Sequence, residues 1–331
     1  MKKFALKLWM VLLLSAVVFS GCKKDSDTED PATGNFTTLK TYMVSNSMDL
    51  TDMLKDWIME AKLTTDGGVV DPTDNSIPTM NVVDIRDAAT YAAGHIKGAV
   101  NVPLANIIEG TKTMTDKPIL VVCATGQTAG VACMALRLSG FTNAKVLKFG
   151  MAGWNDQFSA PWVSAGQNAG VGSPNWVTTA APTNGSYGYP TWTSTSTDGK
   201  SILAERVAAV VAAGFSPTAP ADVLANPANY TVINYWPESD YTTFGHFAGA
   251  YRLNPITLAA DEIKGIDPSK TVQLYCYTGM TSSFVSTYLN VLGYNVKSIK
   301  FGANAMVHDQ LDAAGKTVFH GSKGYTFVTG K

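Results

Sequence analysis

Ile119-Leu120-Val121-Val122-Cys123-Ala124-Thr125-Gly126-Gln127-Thr128-Ala129 is the stretch from which the fold can be read. Its aliphatic run predicts a buried strand, the small residues after Cys123 predict a turn, and Ala129 to Leu138 reads as a helix. The pattern is written again as Val272-Gln273-Leu274-Tyr275-Cys276-Tyr277-Thr278-Gly279-Met280-Thr281-Ser282. Both copies fit Cys-x-Thr-Gly-x-Thr-(Ala/Ser). A cysteine between a strand end and a helix N-terminus lies where backbone N–H groups converge and the helix dipole favours an anion. That setting predicts a thiol pKa lowered from about 8.5 toward roughly 3.5–7.5. One such cysteine alone reads best as a small buried residue. Two copies that both keep it point to chemistry.

The flanking motifs repeat as well. Asp49 to Ala61 carries apolar residues at helical spacing, and Asn81 to Asp87 predicts a strand ending in charges. Tyr91, Gly94-His95-Ile96-Lys97-Gly98-Ala99 and the short strand to Pro103 follow. Beyond the cysteine loop come a second strand at Lys145 to Gly150 and then Met151-Ala152-Gly153-Trp154. In the second half the counterparts are the helix Ser201–Gly214, the strand Tyr230–Trp236, Tyr241, Gly245-His246-Phe247-Ala248-Gly249-Ala250, and Ser298 to Gly302. The Gly-His pairs, the cysteines and the Phe-Gly pairs each recur at a spacing of roughly 152 residues, the mark of a duplicated domain. Alternating strands and helices with hydrophobic strands predict parallel α/β sheets with helices on both faces.

The 331 residues suffice for two domains with their own cores. A net charge of −1 with 15% charged residues excludes an electrostatic nucleic-acid surface. Met1-Lys2-Lys3, the apolar stretch up to Ser20 and then Gly21-Cys22 read as an export signal. Ser20-Gly21-Cys22 resembles the lipobox of bacterial lipoproteins. That resemblance implies a signal peptide over residues 1–21, acylation at Cys22, and a lipid-anchored protein of the bacterial cell envelope, on its periplasmic or surface side. The charged residues after Cys22 predict a disordered tether over 22–40. Cys123 and Cys133 lie ten positions apart, the second inside a helix, about 15 Å along its axis. A disulfide needs Cα atoms within about 7 Å, so Cys133 reads as core packing.

Five motifs now stand in order: Asp84-x-Arg86; Tyr91 with Gly94-His95-Ile96-x-Gly98-Ala99; the strand to Pro103; Cys123-x-x-Gly126-x-Thr128-Ala129; and Phe149-Gly150-Met151-Ala152-Gly153-Trp154. Together they resemble a rhodanese domain, over about 45–160 and more loosely 200–325. The resemblance implies two tandem domains, each with a small five-stranded parallel sheet, over 41–160 and 200–325. Residues 161–199 form an aromatic-containing linker between them. It also implies sulfur transfer without a cofactor: Cys123 and Cys276 take sulfane sulfur from a small donor of the thiosulfate or mercaptopyruvate type. Each becomes a persulfide and passes the sulfur to a thiol or cyanide. The loop residues Ala124, Thr125, Gly126, Gln127 and Thr128, and likewise Tyr277, Thr278, Gly279, Met280 and Thr281, surround the anionic sulfur. Arg86, with Asp84, either holds an anionic donor or forms a structural ion pair. Asn234 and Trp236 replace that pair in the second half, which favours the first loop as the faster one. His95 and His246 read as structural hydrogen bonders, and no metal-ligand cluster is present. The alternative function is a non-catalytic sulfur carrier or binding module. Phosphatase chemistry is set aside because neither loop holds the Arg that phosphate needs.

Overall fold

The computed structural model describes residues 31–330. The expected signal segment, the lipidation site Cys22 and the start of the tether lie outside the described residues. Where the tether was expected to continue, the chain forms α1 (Pro31–Ser45), a correction to the disordered reading of residues 31–40. Its cause is tertiary. Phe36, Leu39 and Met43 share one helical face and are fully buried, and Tyr189 stacks on Phe36 at 4.3 Å. A second correction follows. The expected helix at 49–61 is only one turn, α2 (Leu50–Met53). Asp56 adopts a left-handed φ of 48°, and Ile58–Met59 then pairs as strand β1.

The first sheet continues with β2 (Asn81–Asp84), which leads through α3 (Ala88–Ala93) to β3 (Val100–Asn101). After α4 (Ile107–Thr111) come β4 (Ile119–Val122), α5 (Gln127–Leu138), β5 (Lys145–Leu147) and α6 (Gly150–Trp154). Its order is β1-β5-β4-β2-β3, all pairs parallel. Every residue of the central β4 is buried. Ile119 and Val121 pack into one core layer, Leu120 and Val122 into the other, which is why the strand is apolar at consecutive positions rather than alternating.

The connection holds α7 (Ala160–Ala165) and the short strand β6 (Trp176–Val177). The second unit follows with α8 (Gly199–Ala213), α9 (Pro220–Ala225), β7 (Thr231–Asn234), α10 (Glu238–Phe244), β8 (His246–Phe247) and β9 (Tyr251–Arg252). It ends with β10 (Thr271–Tyr275), α11 (Met280–Val291), β11 (Asn295–Ser298) and α12 (His308–Ala313). Its sheet runs β11-β10-β7-β9, again parallel. Five strands were expected here. The fifth is reduced to a single bridge, Thr218 with Ile299, because Pro217 and Pro220 flank it and supply no N–H donors.

The two units are laced together. The Ser283 hydroxyl on α11 donates to the Gln127 carbonyl on α5 at 2.7 Å. One hydrophobic cluster runs through both units, including Leu136 from the first and Phe284 and Tyr288 from the second. The expected domain limits are crossed at both ends. Helix α1 packs on α8 of the second unit, while Val328 bridges His95 of the first. The linker is pinned by aromatics: Trp162 is fully buried, and the Trp176 indole donates to the Phe244 carbonyl.

Candidate active site

Each cysteine sits where its central strand ends, and the turn after it is closed by a left-handed glycine. Gly126 (φ 82°) and Gly279 (φ 78°) precede α5 and α11. An L side chain is disfavoured there, so the Gly in each motif is a backbone requirement. Cys123 Sγ accepts N–H groups from Gly126 (3.1 Å) and Ala129 (3.3 Å). Cys276 Sγ accepts the Ser282 N–H at 3.3 Å and lies 3.7 Å from the Ser282 hydroxyl. The Cys123 sulfur therefore rests between two backbone donors and the Cys276 sulfur accepts one, with no side-chain base beside either.

The Phe-Gly motif is the latch of the loop. Met151 and Ala152 donate backbone N–H groups to the Cys123 and Ala124 carbonyls, and Ala303 and Asn304 do the same for Cys276 and Tyr277. The latch also reaches across to the other unit. The Phe301 N–H donates to Gln127 Oε1 at 3.0 Å, and the Phe149 N–H to Met280 Sδ at 3.3 Å. The variable loop position of each unit thus engages the latch of the other. Trp162 lies on the same interface: its indole donates to the Thr125 carbonyl at 3.1 Å, and its ring meets Phe149 and Phe301 edge-on. Sequence reasoning missed Trp162 as part of the site. Its only signal was a large aromatic in a Gly- and Ser-rich stretch.

Arg86 is engaged in a buried ion pair. Its Nε and Nη2 bind both oxygens of Asp84, and Nη2 also donates to the Gly94 carbonyl at 2.6 Å. The pair is a buried structural brace. The lowered thiol pKa expected at Cys123 is also corrected. Burial pushes that thiol up, the N–H groups of Ala129, Thr125 and Gly126 oppose the rise only in part, and the Asp84 charge adds to it. In the second unit the same place is aromatic. Trp236 is fully buried and stacks on Tyr277 at 4.7 Å. The Tyr277 hydroxyl donates to Asp240, whose carboxylate Lys316 meets at 2.6 Å. Burial works against charge on Asp240, yet Lys316 and Tyr277 together hold its carboxyl below the usual range.

A cavity of about 330 Å³ opens beside the Cys276 loop, lined by Tyr277, Thr278, Met280 and Thr281 and, from the first unit, by Trp57, Ile58, Glu60 and Lys148. A roomier cavity of about 650 Å³ between α7 and α9 is lined by neither cysteine loop. Gln127 is sequestered by Phe301 and by its own bond to Thr125, and Thr128 stays half-buried at the head of α5. His95 and His246 are structural: each Nδ1 pairs with a tyrosine carbonyl, of Tyr91 or Tyr241, and each ring stacks on that tyrosine. Among the described residues no group of His, Cys, Asp and Glu could hold a metal ion.

The rhodanese-like domain family matches residues 71–157. The thiosulfate sulfurtransferase GlpE of Pseudomonas fluorescens (strain SBW25) is 38% identical over 88 residues, which cover 26% of this chain and 80% of that protein. The chain belongs to the rhodanese-like family. The protein YqhL of Bacillus subtilis (strain 168) is 32% identical over 80 residues, 24% of this chain and 64% of that protein. The crystal structure of a thiosulfate sulfurtransferase from Pseudomonas aeruginosa aligns at 17% identity over 76% of this chain and 42% of that one, with a TM-score of 0.22. Family membership and relatives named thiosulfate sulfurtransferase support sulfurtransferase-type activity in this rhodanese-like chain.

Proposed function

We propose that this protein moves sulfane sulfur from a small donor to a thiol or cyanide through a persulfide on Cys276, with Cys123 secondary. The observation that carries this reading is the cavity at the Cys276 loop, which brings Thr281 and a lysine to one opening. On the other side, Arg86 is engaged by Asp84 and the Thr125 carbonyl by the Trp162 indole. In the first step the Cys276 thiolate attacks the outer sulfur of the donor. A Cys–S–S bond forms, the bond holding that sulfur to the donor breaks (S–S in thiosulfate, C–S in 3-mercaptopyruvate), and the remainder leaves with the bonding pair, as sulfite or as the enolate of pyruvate. The backbone N–H groups of the turn hold the anionic persulfide. The acceptor then attacks the outer sulfur, and the Cys276 thiolate leaves. No oxidant or reductant enters.

The test is cyanide-dependent sulfur transfer with thiosulfate and with 3-mercaptopyruvate, together with intact-mass detection of added sulfur. Cys276→Ser should lose at least about tenfold in kcat/KM, a change of about 1.4 kcal/mol, and Cys123→Ser should keep most activity. Full activity in Cys276→Ser refutes the assignment. The burial of both cysteines, 4% and 3% exposed, favours a second reading as a sulfur carrier. A carrier would load one sulfur and show no turnover. We further propose that Cys22 carries the lipid anchor at the cell envelope, supported by the Ser20-Gly21-Cys22 boundary. Unchanged membrane fractionation of Cys22→Ala refutes that.

A further inference from the structure

Cys276 touches a pair of hydroxyls that the first unit lacks. Resting on the persulfide reading above, we propose that Ser282 is a further catalytic residue at Cys276. Its hydroxyl accepts the hydrogen bond of the thiol and then, backed by Ser298, turns to donate to the thiolate.

The chain of groups is continuous. Cys276 Sγ lies 3.7 Å from Ser282 Oγ, which lies 2.7 Å from Ser298 Oγ, and the Ser298 hydroxyl reaches the Gly279 carbonyl at 3.4 Å. Ser282 and Ser298 are buried, so each hydroxyl needs a partner in every state of the sulfur. In the thiol form the bonds run outward: the thiol donates to Ser282, Ser282 to Ser298, and Ser298 to Gly279. In the thiolate form they run inward: Ser298 donates to Ser282 and Ser282 to the sulfur, while the Gly279 carbonyl keeps the Ser283 N–H at 3.1 Å. A hydroxyl can donate and accept, so rotation alone reverses the run. The bond to the sulfur anion is charge-assisted and the stronger one, so the pair favours the thiolate. The fold does not demand these hydroxyls. Ser282 and Ala129 occupy matching places, each giving its N–H to its cysteine's sulfur. Ser298 pairs with Leu274 as Val146 pairs with Val121. The first unit thus fills both positions with buried alkyl groups.

On ionisation the Cys276 S–H bond breaks, solvent water takes the proton, and the sulfur keeps the electron pair. When the persulfide is discharged, its S–S bond breaks, the acceptor takes the outer sulfur, and Cys276 leaves as a thiolate that meets the same hydroxyl. Of the titratable groups around this sulfur, Tyr235 and Tyr277 have phenols that burial pushes up, Tyr235 to about 12, so both are neutral between pH 6 and 10. Asp240 is paired with Lys316 beyond Tyr277, and Glu60 and Lys148 of the first unit line the cavity beside the loop. From α11 and β11 the groups that face the sulfur are the two hydroxyls.

The probe is iodoacetamide, a neutral alkylator, with its rate at Cys276 and at Cys123 followed across pH by peptide mass mapping of the full chain. Ser282→Ala writes the first unit's residue into the second. It should move the pH midpoint of Cys276 alkylation up by about one unit, a tenfold loss of thiolate below the midpoint. The more basic thiolate is also the better nucleophile, by roughly threefold. The rate below the midpoint should therefore fall about threefold while the high-pH plateau rises. A merely structural serine would lower the plateau and leave the midpoint in place. Ser298→Ala should move the midpoint the same way by less, and Ser282→Thr, which keeps the hydroxyl, should bring it back. Cys123 should keep its profile in all three. Persulfide loaded from thiosulfate should discharge to cyanide more slowly in Ser282→Ala. If Ser282→Ala keeps the parent midpoint, the role of Ser282 is refuted. If Ser298→Ala alone keeps it, the backing by Ser298 is refuted. If Cys276→Ser still forms persulfide at the parent rate, the underlying function falls instead, whatever the alkylation profiles show.

Discussion

Replacing each loop glycine by alanine separates the strain of the turn from the interlock of the two units. Gly126 and Gly279 have nearly the same φ, 82° and 78°, so both substitutions carry the left-handed penalty of about 1–2 kcal/mol. What the new methyl meets differs. At Gly279 it falls 2.5 Å from Gln127 Oε1 and 2.7 Å from the Phe301 nitrogen, the two ends of a single cross-unit hydrogen bond. Room is made only by breaking that bond, and leaving its groups unpaired costs about 1–3 kcal/mol. At Gly126 the methyl meets Met280 Sδ at 2.7 Å and the Phe149 nitrogen at 3.1 Å, the ends of the reciprocal cross-unit bond, but the thioether is a weak acceptor on a flexible side chain, so less is lost when it turns aside. Gly279→Ala should therefore be the more destabilising by about 1–3 kcal/mol, with a melting temperature lower by roughly 2–4 °C per kcal/mol. Urea unfolding followed by tryptophan fluorescence and far-ultraviolet circular dichroism measures both. Equal or reversed losses would show that the Gln127–Phe301 bond does not hold the units together.

Arg86→Met removes one partner of a buried ion pair. It should cost about 3–5 kcal/mol of stability while leaving the rate of sulfur transfer per folded molecule unchanged, and a selective loss of donor affinity would restore Arg86 to the site. Cys133, whose thiol burial pushes up to about 12 and which donates to the Ala144 carbonyl, should resist iodoacetamide at pH 8 in the native protein and react once urea is added. Burial lowers the pKa of His246, opposed by its bond to the Tyr241 carbonyl, so the folded state disfavours the imidazolium. Stability from this group is present above its ordinary value near 6.5 and falls as pH drops below it. The urea midpoint should decline from pH 7.5 to 5.5, and His246→Gln should flatten part of that decline.

What was legible in the sequence was local. The two cysteine turns and the Phe-Gly latches each occupy a few consecutive residues whose backbone demands show in residue type. The spacing of Leu50, Met53, Leu54, Trp57 and Ile58 suits a helix, but the bonds that Val146 and Lys148 donate to the Trp57 and Met59 carbonyls draw the end of that stretch into the sheet. Phe36, Leu39 and Met43 already stood at helical spacing, yet their order depends on α8 and Tyr189, more than a hundred residues away. Asp84-x-Arg86 permits either a brace or an anion site, and the Gly94 carbonyl decides it. Lys148 stands in a Lys-Phe-Gly triplet that occurs twice. That one copy lines a cavity beside the other unit's cysteine loop depends on packing, which no local pattern carries.

The same packing explains why two nearly identical loops are not equivalent. Contacts across the interface are reciprocal, Gln127 with Phe301 and Met280 with Phe149, so a near-twofold relation would give both cysteines the same surroundings. The connection between the units occurs only once in the chain and breaks that symmetry. Its Trp162 is wedged among Phe149, Phe301 and Phe319 and bonded to the Thr125 carbonyl of the first loop. At the second loop Trp236 stacks on Tyr277 instead, and the cavity with Lys148 opens beside it. Asp84 reinforces the difference by adding negative charge near Cys123, where Asn234 stands in the second unit. Two loops with nearly the same backbone thus come to different surroundings: Lys148, Trp57 and Ile58 of the first unit line the cavity beside the second loop, and Trp162 bonds to the first.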